Sequence, residues 1–134
     1  MNTTNTKNMK NEVSKAVQTG NHFAIDATNK KIGRVATEAA SILMGKNSPT
    51  FSRNVIAPVK VTISNTSKAD VIEKKKADKE YRWYTGFRGG LRNEKLGELI
   101  ERKGFTEVFI RAVYRMLPSN PTRKKIIKNL TVTE

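Results

Sequence analysis

The chain contains no cysteine and one histidine, His22, in 134 residues. The first absence excludes disulfides, thiolate zinc sites and a cysteine nucleophile, and it fits a reducing compartment. The second excludes paired-histidine acid–base chemistry and multi-histidine metal sites, and His22 itself reads as a strand-edge residue. No apolar run approaches a membrane span, and the opening MNTTNTKNMKNEVSKAVQTGN lacks a hydrophobic stretch of signal-peptide length. Without export, the sequons at Asn2, Asn65 and Asn129 meet no glycosylation machinery. No serine sits in a G-x-S-x-G elbow, which removes the commonest hydrolase signature. Gly45-Lys46-Asn47-Ser48 fails as a phosphate-binding P-loop. Ala40 stands where that motif needs its first glycine, Asn47 follows the lysine, and the segment closes a helix instead of opening one.

What is abundant is positive charge: 26 Lys+Arg against 12 Asp+Glu give a net +14. The excess is spread over the body, with net charges of +6 over residues 1–67, +4 over 68–103 and +4 over 104–134. A molecule so charged repels its own copies and seeks polyanions on several sides. Hydrophobic residues, at 37%, are enough for a real but modest core.

The length fits one domain, residues 22–134, preceded by a basic arm over residues 1–21. The arm is too polar to bury much, which leaves open whether it stays flexible or orders on a polyanion. Phe23 to Ala27 reads as a short strand. Asp26 at its end sits where open α/β sheets hold ligands, although an Asx turn into the next loop explains it more simply. Ile32, Val35, Ala36, Ala39, Ala40 and Leu43 share one helical face, and Gly45 is placed to end that helix in a left-handed cap. Val59, Val61 and Ile63 alternate with polar residues, the pattern of a strand with one buried face. Ala69 to Ile72 fits a short strand or a helical turn equally, and Lys74-Lys75-Lys76 reads as a solvated loop. Leu91 to Lys103 reads as helix with Gly104 as its stop. A second helix from Thr106 to Met116 buries Phe105, Phe109, Ala112, Val113 and Met116 and presents Glu107, Arg111 and Arg115 on another face. Pro118 and Pro121 break the chain, RKKIIKNL offers a last short helix, and Thr131 to Thr133 an edge strand. Strands alternating with helices predict a mainly parallel sheet covered by helices.

The stretch Tyr81 to Arg92, YRWYTGFRGGLR, holds four of the nine aromatic residues with three arginines and three glycines. Arginine forks bind phosphate bidentately, aromatic faces stack on unpaired bases, and glycines let backbone approach a phosphate chain. Pleat alternation predicts that Tyr81 and Trp83 point inward as anchors and that Arg82 and Tyr84 face out.

Three segments together resemble the family of the large-subunit ribosomal protein numbered thirteen in the bacterial scheme. IDATNKKIGRVATEAASILMGK is similar to that family's opening, KEYRWYTGFRGGLR to its tyrosine and Thr-Gly segment, and AVYRMLPSNPTRKKIIKNL to its Met-Leu-Pro segment. The motifs keep the family's order from about Phe23 to Val132. The resemblance implies a single three-layer α/β/α domain with a small, mainly parallel central sheet, no catalysis, no cofactor and no small-molecule substrate. It implies a place in the cytoplasmic ribosome, on large-subunit RNA and beside other ribosomal proteins, with a role in early subunit assembly. Carried over by position, the RNA-facing candidates are Lys30, Lys31, Arg34, Lys46, Thr85, Gly86, Arg88, Gly89, Gly90, Arg92, Met116, Leu117, Pro118, Arg123 and Lys124. Met116, Leu117 and Pro118 equally suit the fold's own turn. Arg82, Tyr84, Arg111 and Arg115 join the candidates from the residue pattern. This chain departs from the family where Tyr84 replaces a histidine before Thr-Gly, and where Thr122-Arg123-Lys124 replaces Leu-Gly-Arg. Two other classes remain alternatives at this point: a small α/β enzyme acting on a phosphorylated substrate around Asp26, and a free RNA-binding translational regulator.

Overall fold

A computed structural model describes residues 17–19 and 21–134. Most of the expected arm lies outside the described residues. Within it, Val17–Thr19 form β1, paired antiparallel with β2, His22–Asp26. Strand β2 runs parallel to β3, Lys60–Ser64, and β3 runs parallel to β6, Leu130–Val132. The sheet order β1-β2-β3-β6 puts β6 at one edge, where the sequence pattern placed an edge strand.

One pleat face of this sheet is buried. Ile25, Val61 and Ile63 are at most 2% exposed, while His22, Ala24, Lys60 and Thr131 on the other pleat are exposed. Helix α1, Ile32–Leu43, lays Ile32, Val35, Ala36, Ala39, Ala40 and Leu43 on the apolar face, as their spacing predicts. Each fully buried aliphatic side chain contributes on the order of 1.5–3 kcal/mol by leaving water. Gly45 (φ 74°) closes α1: its N–H donates to the Ile42 carbonyl and that of Lys46 to Ser41, the paired bonds of a Schellman cap.

Three segments depart from the sequence expectation. Leu91–Lys95 is a strand, β5, paired antiparallel with β4, Glu80–Tyr84, and the helix that follows begins only at Leu96. These five residues include good helix formers, but Gly86 (φ 90°) and Gly89 (φ 67°) turn the chain back along β4, where cross-strand bonds satisfy the backbone. Lys74–Lys76 lie on a short helix, α2, Glu73–Asp78, not in a loop. Residues 69–72 form neither a strand nor a helix, only an isolated bridge from Asp70 to Lys31.

Helix α3 spans Leu96–Met116 and is broken at Gly104 (φ 75°, ψ −179°), the expected stop. The restart is capped by Glu134, whose carboxylate accepts from the Phe105 N–H at 3.0 Å. Phe109 and Val113, on the buried face of α3, are 0% exposed. Met116 does not share that face as expected: it is 40% exposed, and Leu117, at 2%, takes the core position. The helix ends at Met116, and the extended backbone of Leu117 (ψ 149°) turns its side chain inward. The last helical turns, α4 at Arg123–Ile126 and a 3-10 turn at Ile127–Asn129, lead into β6. The result is a single α/β domain with a small, mainly parallel sheet. Among the described residues no helix is long and apolar enough to cross a membrane.

Candidate nucleic-acid interface

The β4–β5 hairpin packs on α3 through Tyr81. That ring is 4% exposed and lies beneath three cations: Lys79 Nζ at 5.2 Å, the Arg111 guanidinium at 5.2 Å and that of Arg115 at 5.4 Å. Cations over an aromatic face are attracted by its quadrupole. Burial pushes the Tyr81 phenol up, against the opposing pull of Arg115 and Arg111. Burial, reinforced by Lys75 and Arg115, holds the Lys79 ammonium below its ordinary value.

The charge balancing this cluster comes from Glu94, directly across the ladder from Tyr81 and 8% exposed. Its carboxylate accepts from Arg102 Nε at 2.8 Å and lies 3.7 Å from Arg111. Arg111 also donates to Glu107 at 2.9 Å. Of the two candidates on this helix face, Arg111 is therefore committed to internal partners, whereas Arg115 is exposed and, among the described residues, paired with no carboxylate.

Beyond Tyr81 the hairpin opens to solvent. Trp83, expected to anchor it, is 44% exposed, because two residues nearer the tip its side chain overhangs a groove instead of meeting packed core. Tyr84 and Phe87 are 63% and 77% exposed, and Arg82, Thr85, Gly86, Arg88, Gly89 and Arg92 are exposed with them. Gly90 is buried and closes the loop: its N–H donates to the Phe87 carbonyl at 2.9 Å and its carbonyl accepts from Thr85 at 3.1 Å. A Cβ there would lie 2.8 Å from the Phe87 oxygen and press on the Thr85 hydroxyl, so the shape of the tip requires glycine at position 90.

The C-terminal turn of α3 joins this hairpin to two further basic clusters. On one side, the Thr37 hydroxyl of α1, which donates to the Gly33 carbonyl at 2.9 Å, lies 3.3 Å from Met116 Sδ. Arg34 lies one helical turn before Thr37, and with Lys30 and Lys31 it lines a depression that also holds Glu38 and Asp70. On the other side, the Arg123 guanidinium sits 4.3 Å over Tyr114 and donates to the Leu117 carbonyl at 2.9 Å. Arg123, one of the RNA-facing candidates, is thus folded back as a clasp on the turn, and Lys124 beside it is exposed. Leu117, offered as an RNA-facing candidate, has its side chain in the core, whereas Pro118 is half-buried at the turn. Lys46 is exposed but stands past the far end of the 12-residue α1 from Lys31.

Asp26 is occupied. One carboxylate oxygen accepts from the Thr28 N–H at 3.0 Å, the Thr28 hydroxyl at 2.7 Å and the Asn65 amide at 3.1 Å. These bonds, the Thr28 N–H first, hold its carboxyl below the usual carboxylate range. The pattern is the Asx turn of the simpler reading, and it ties the end of β2 to that of β3. His22 shares a 3.1 Å hydrogen bond with Thr62 on the open pleat of the sheet. Among the described residues no three His, Asp or Glu side chains are grouped to hold a metal.

Sequence reasoning did not single out Glu94, Lys79 or Tyr114. The first was read as helix, and the other two gain meaning only from what lies across from them. Phe87 carried a signal, an aromatic between glycines in a turn.

The family described as Ribosomal protein L13 matches residues 20–134. The large ribosomal subunit protein uL13 of Persephonella marina is 44% identical over 110 residues, covering 82% of this chain and 73% of the relative. That of Citrifermentans bemidjiense is 37% identical over 125 residues, covering 92% and 87%. That of Geobacter sulfurreducens is 39% identical over 110 residues, covering 82% and 76%. With the family matching nearly the whole described domain and its relatives matching over most of their own length, the chain belongs to the ribosomal protein L13 family.

Proposed function

We propose that this protein is a structural, non-enzymatic constituent of the large ribosomal subunit, binding large-subunit RNA in the cytoplasm and supporting early subunit assembly beside other ribosomal proteins. The observation that carries the reading is the convergence at the C-terminal turn of α3: exposed Arg34, Arg115 and Lys124 approach it from three elements, next to a hairpin tip bearing Arg88, Arg92 and three exposed aromatic rings. Such a surface neutralises phosphates with its cations and sets its position by shape and stacking. The contacts proposed are Lys30, Lys31, Arg34 and Lys46 around α1, Arg82, Tyr84, Thr85, Gly86, Arg88, Gly89 and Arg92 on the hairpin, and Arg115 and Lys124 at the turn. A reaction centred on Asp26 is disfavoured, because its carboxylate serves the Asx turn after β2 and the tie to Asn65 after β3.

Sedimentation tests this reading. In a sucrose gradient of cell lysate the protein should migrate with large subunits, and a protein confined to the top of the gradient refutes it. Binding of the purified protein to large-subunit RNA should weaken steeply between low and high salt, and salt-independent binding rules out the phosphate mechanism.

A further inference from the structure

We propose that the groove between the β4–β5 hairpin and α3 receives one unpaired nucleotide of RNA, its base lying between the Trp83 indole and the Arg115 guanidinium. The proposal rests on the RNA-binding reading above and names what this part of the surface takes. The groove runs between Trp83 on β4 and Ile110, Tyr114 and Arg115 on α3, with Arg82 at its rim and no carboxylate among its lining residues. The basic depression at Lys30, Lys31 and Arg34 differs in this respect, since Glu38 and Asp70 line it too. An anion is therefore less opposed in the hairpin groove.

The two walls are suited to something flat. Tyr81 is too buried to meet a ligand itself, but it backs Arg115 at 5.4 Å and so holds one guanidinium plane at the groove wall. Arg115 has no carboxylate partner among the described residues, in contrast to Arg111 beside it. Opposite stands Trp83, a large apolar ring 44% exposed on the strand face turned toward α3. A ligand that uses both walls needs a π face for the indole and guanidinium and a negative group for Arg115 and Arg82. An unstacked nucleotide has both. A carboxylate or phosphate alone would leave the indole exposed, and a continuous duplex keeps its base faces inside its own stack.

Trp83 is the only tryptophan, so its fluorescence reports on this groove alone. The full-length protein is titrated with single-stranded oligoadenylate, with a perfect RNA duplex of equal charge, and with AMP, while fluorescence anisotropy of labelled RNA follows binding independently. Oligoadenylate is expected to quench Trp83, the duplex to bind without quenching, and AMP to quench only at far higher concentration. Arg115→Ala should weaken oligoadenylate binding and quenching roughly tenfold or more, while duplex binding falls only by the share of one cation. Binding of oligoadenylate without any change at Trp83, or equal quenching by the duplex, overturns the groove proposal and leaves RNA binding standing. Quenching by AMP at the oligonucleotide's concentrations overturns RNA as the source in favour of a free nucleotide. Failure of every RNA to bind removes both readings.

Discussion

Replacing Glu94 by glutamine removes the buried carboxylate that the hairpin brings to Arg111 and Arg102. Its charge stands 3.7 Å from Arg111, with Arg102 bonded on its other side. Two unit charges at that separation attract by about 4–5 kcal/mol at an effective dielectric constant of about 20. Breaking a fully buried pair costs about 3–5 kcal/mol. Here Glu94 is buried, but the side chains of Arg102 and Arg111 are 53% and 26% exposed, so water screens part of the loss. We expect Glu94→Gln to destabilise the domain by about 2–3 kcal/mol, which for a chain of this size lowers the melting temperature by roughly 6–12 °C. Chemical denaturation followed by circular dichroism measures it. The double variant Glu94→Gln, Arg111→Gln should cost less than the sum of the two single variants, since the Glu94–Arg111 attraction is then counted once. A single-variant cost below about 0.5 kcal/mol, or strict additivity of the two substitutions, refutes the claim that this pair docks the hairpin on α3.

Four further outcomes follow from the structure. Gly45→Ala places a side chain at φ 74°, with its Cβ 2.9 Å from that of Ala57, and should cost about 1–2 kcal/mol in denaturation. Gly33→Ala, inside α1 with open space around it, should stabilise by about 0.5–1 kcal/mol. Asp26 titrates below its ordinary range when folded, so its contribution to stability is complete above the unfolded value of about 3.9 and is lost as pH falls through the lowered folded value. Asp26→Asn should therefore be less stable than the parent near neutrality and lose less of its stability over that acid window, as pH-dependent urea melts would reveal. Arg88→Ala and Arg92→Ala, both in the exposed hairpin, should leave the melting temperature nearly unchanged and each lower the salt slope of RNA binding by about 1; equal unfolding by both would mean that these arginines are structural.

Features set by neighbouring residues were legible in the sequence. The buried face of α1, its end at Gly45, the alternation of β3, the Asx turn at Asp26 and the break at Gly104 each depend on residues within one or two turns of one another, and each stands where the pattern placed it. The positive charge and the family motifs were equally local, and they sufficed to point to RNA.

What tertiary structure decided was which side chains are free to act. Leu91–Lys95 became a strand because β4 offered it hydrogen-bond partners, and a helical composition carries no trace of that offer. Arg111 and Arg115 are one turn apart on the same helix, yet Glu94, brought across by the hairpin, pairs with the first, while the second stays uncommitted. Met116 and Leu117 exchanged their expected places because the helix ended between them. The sequence by itself determined that this chain folds as a basic α/β domain. Which cations meet a ligand, and which only hold the fold together, depended on distances between segments far apart in the chain, because an ion pair exists only where folding brings both partners within a few ångströms.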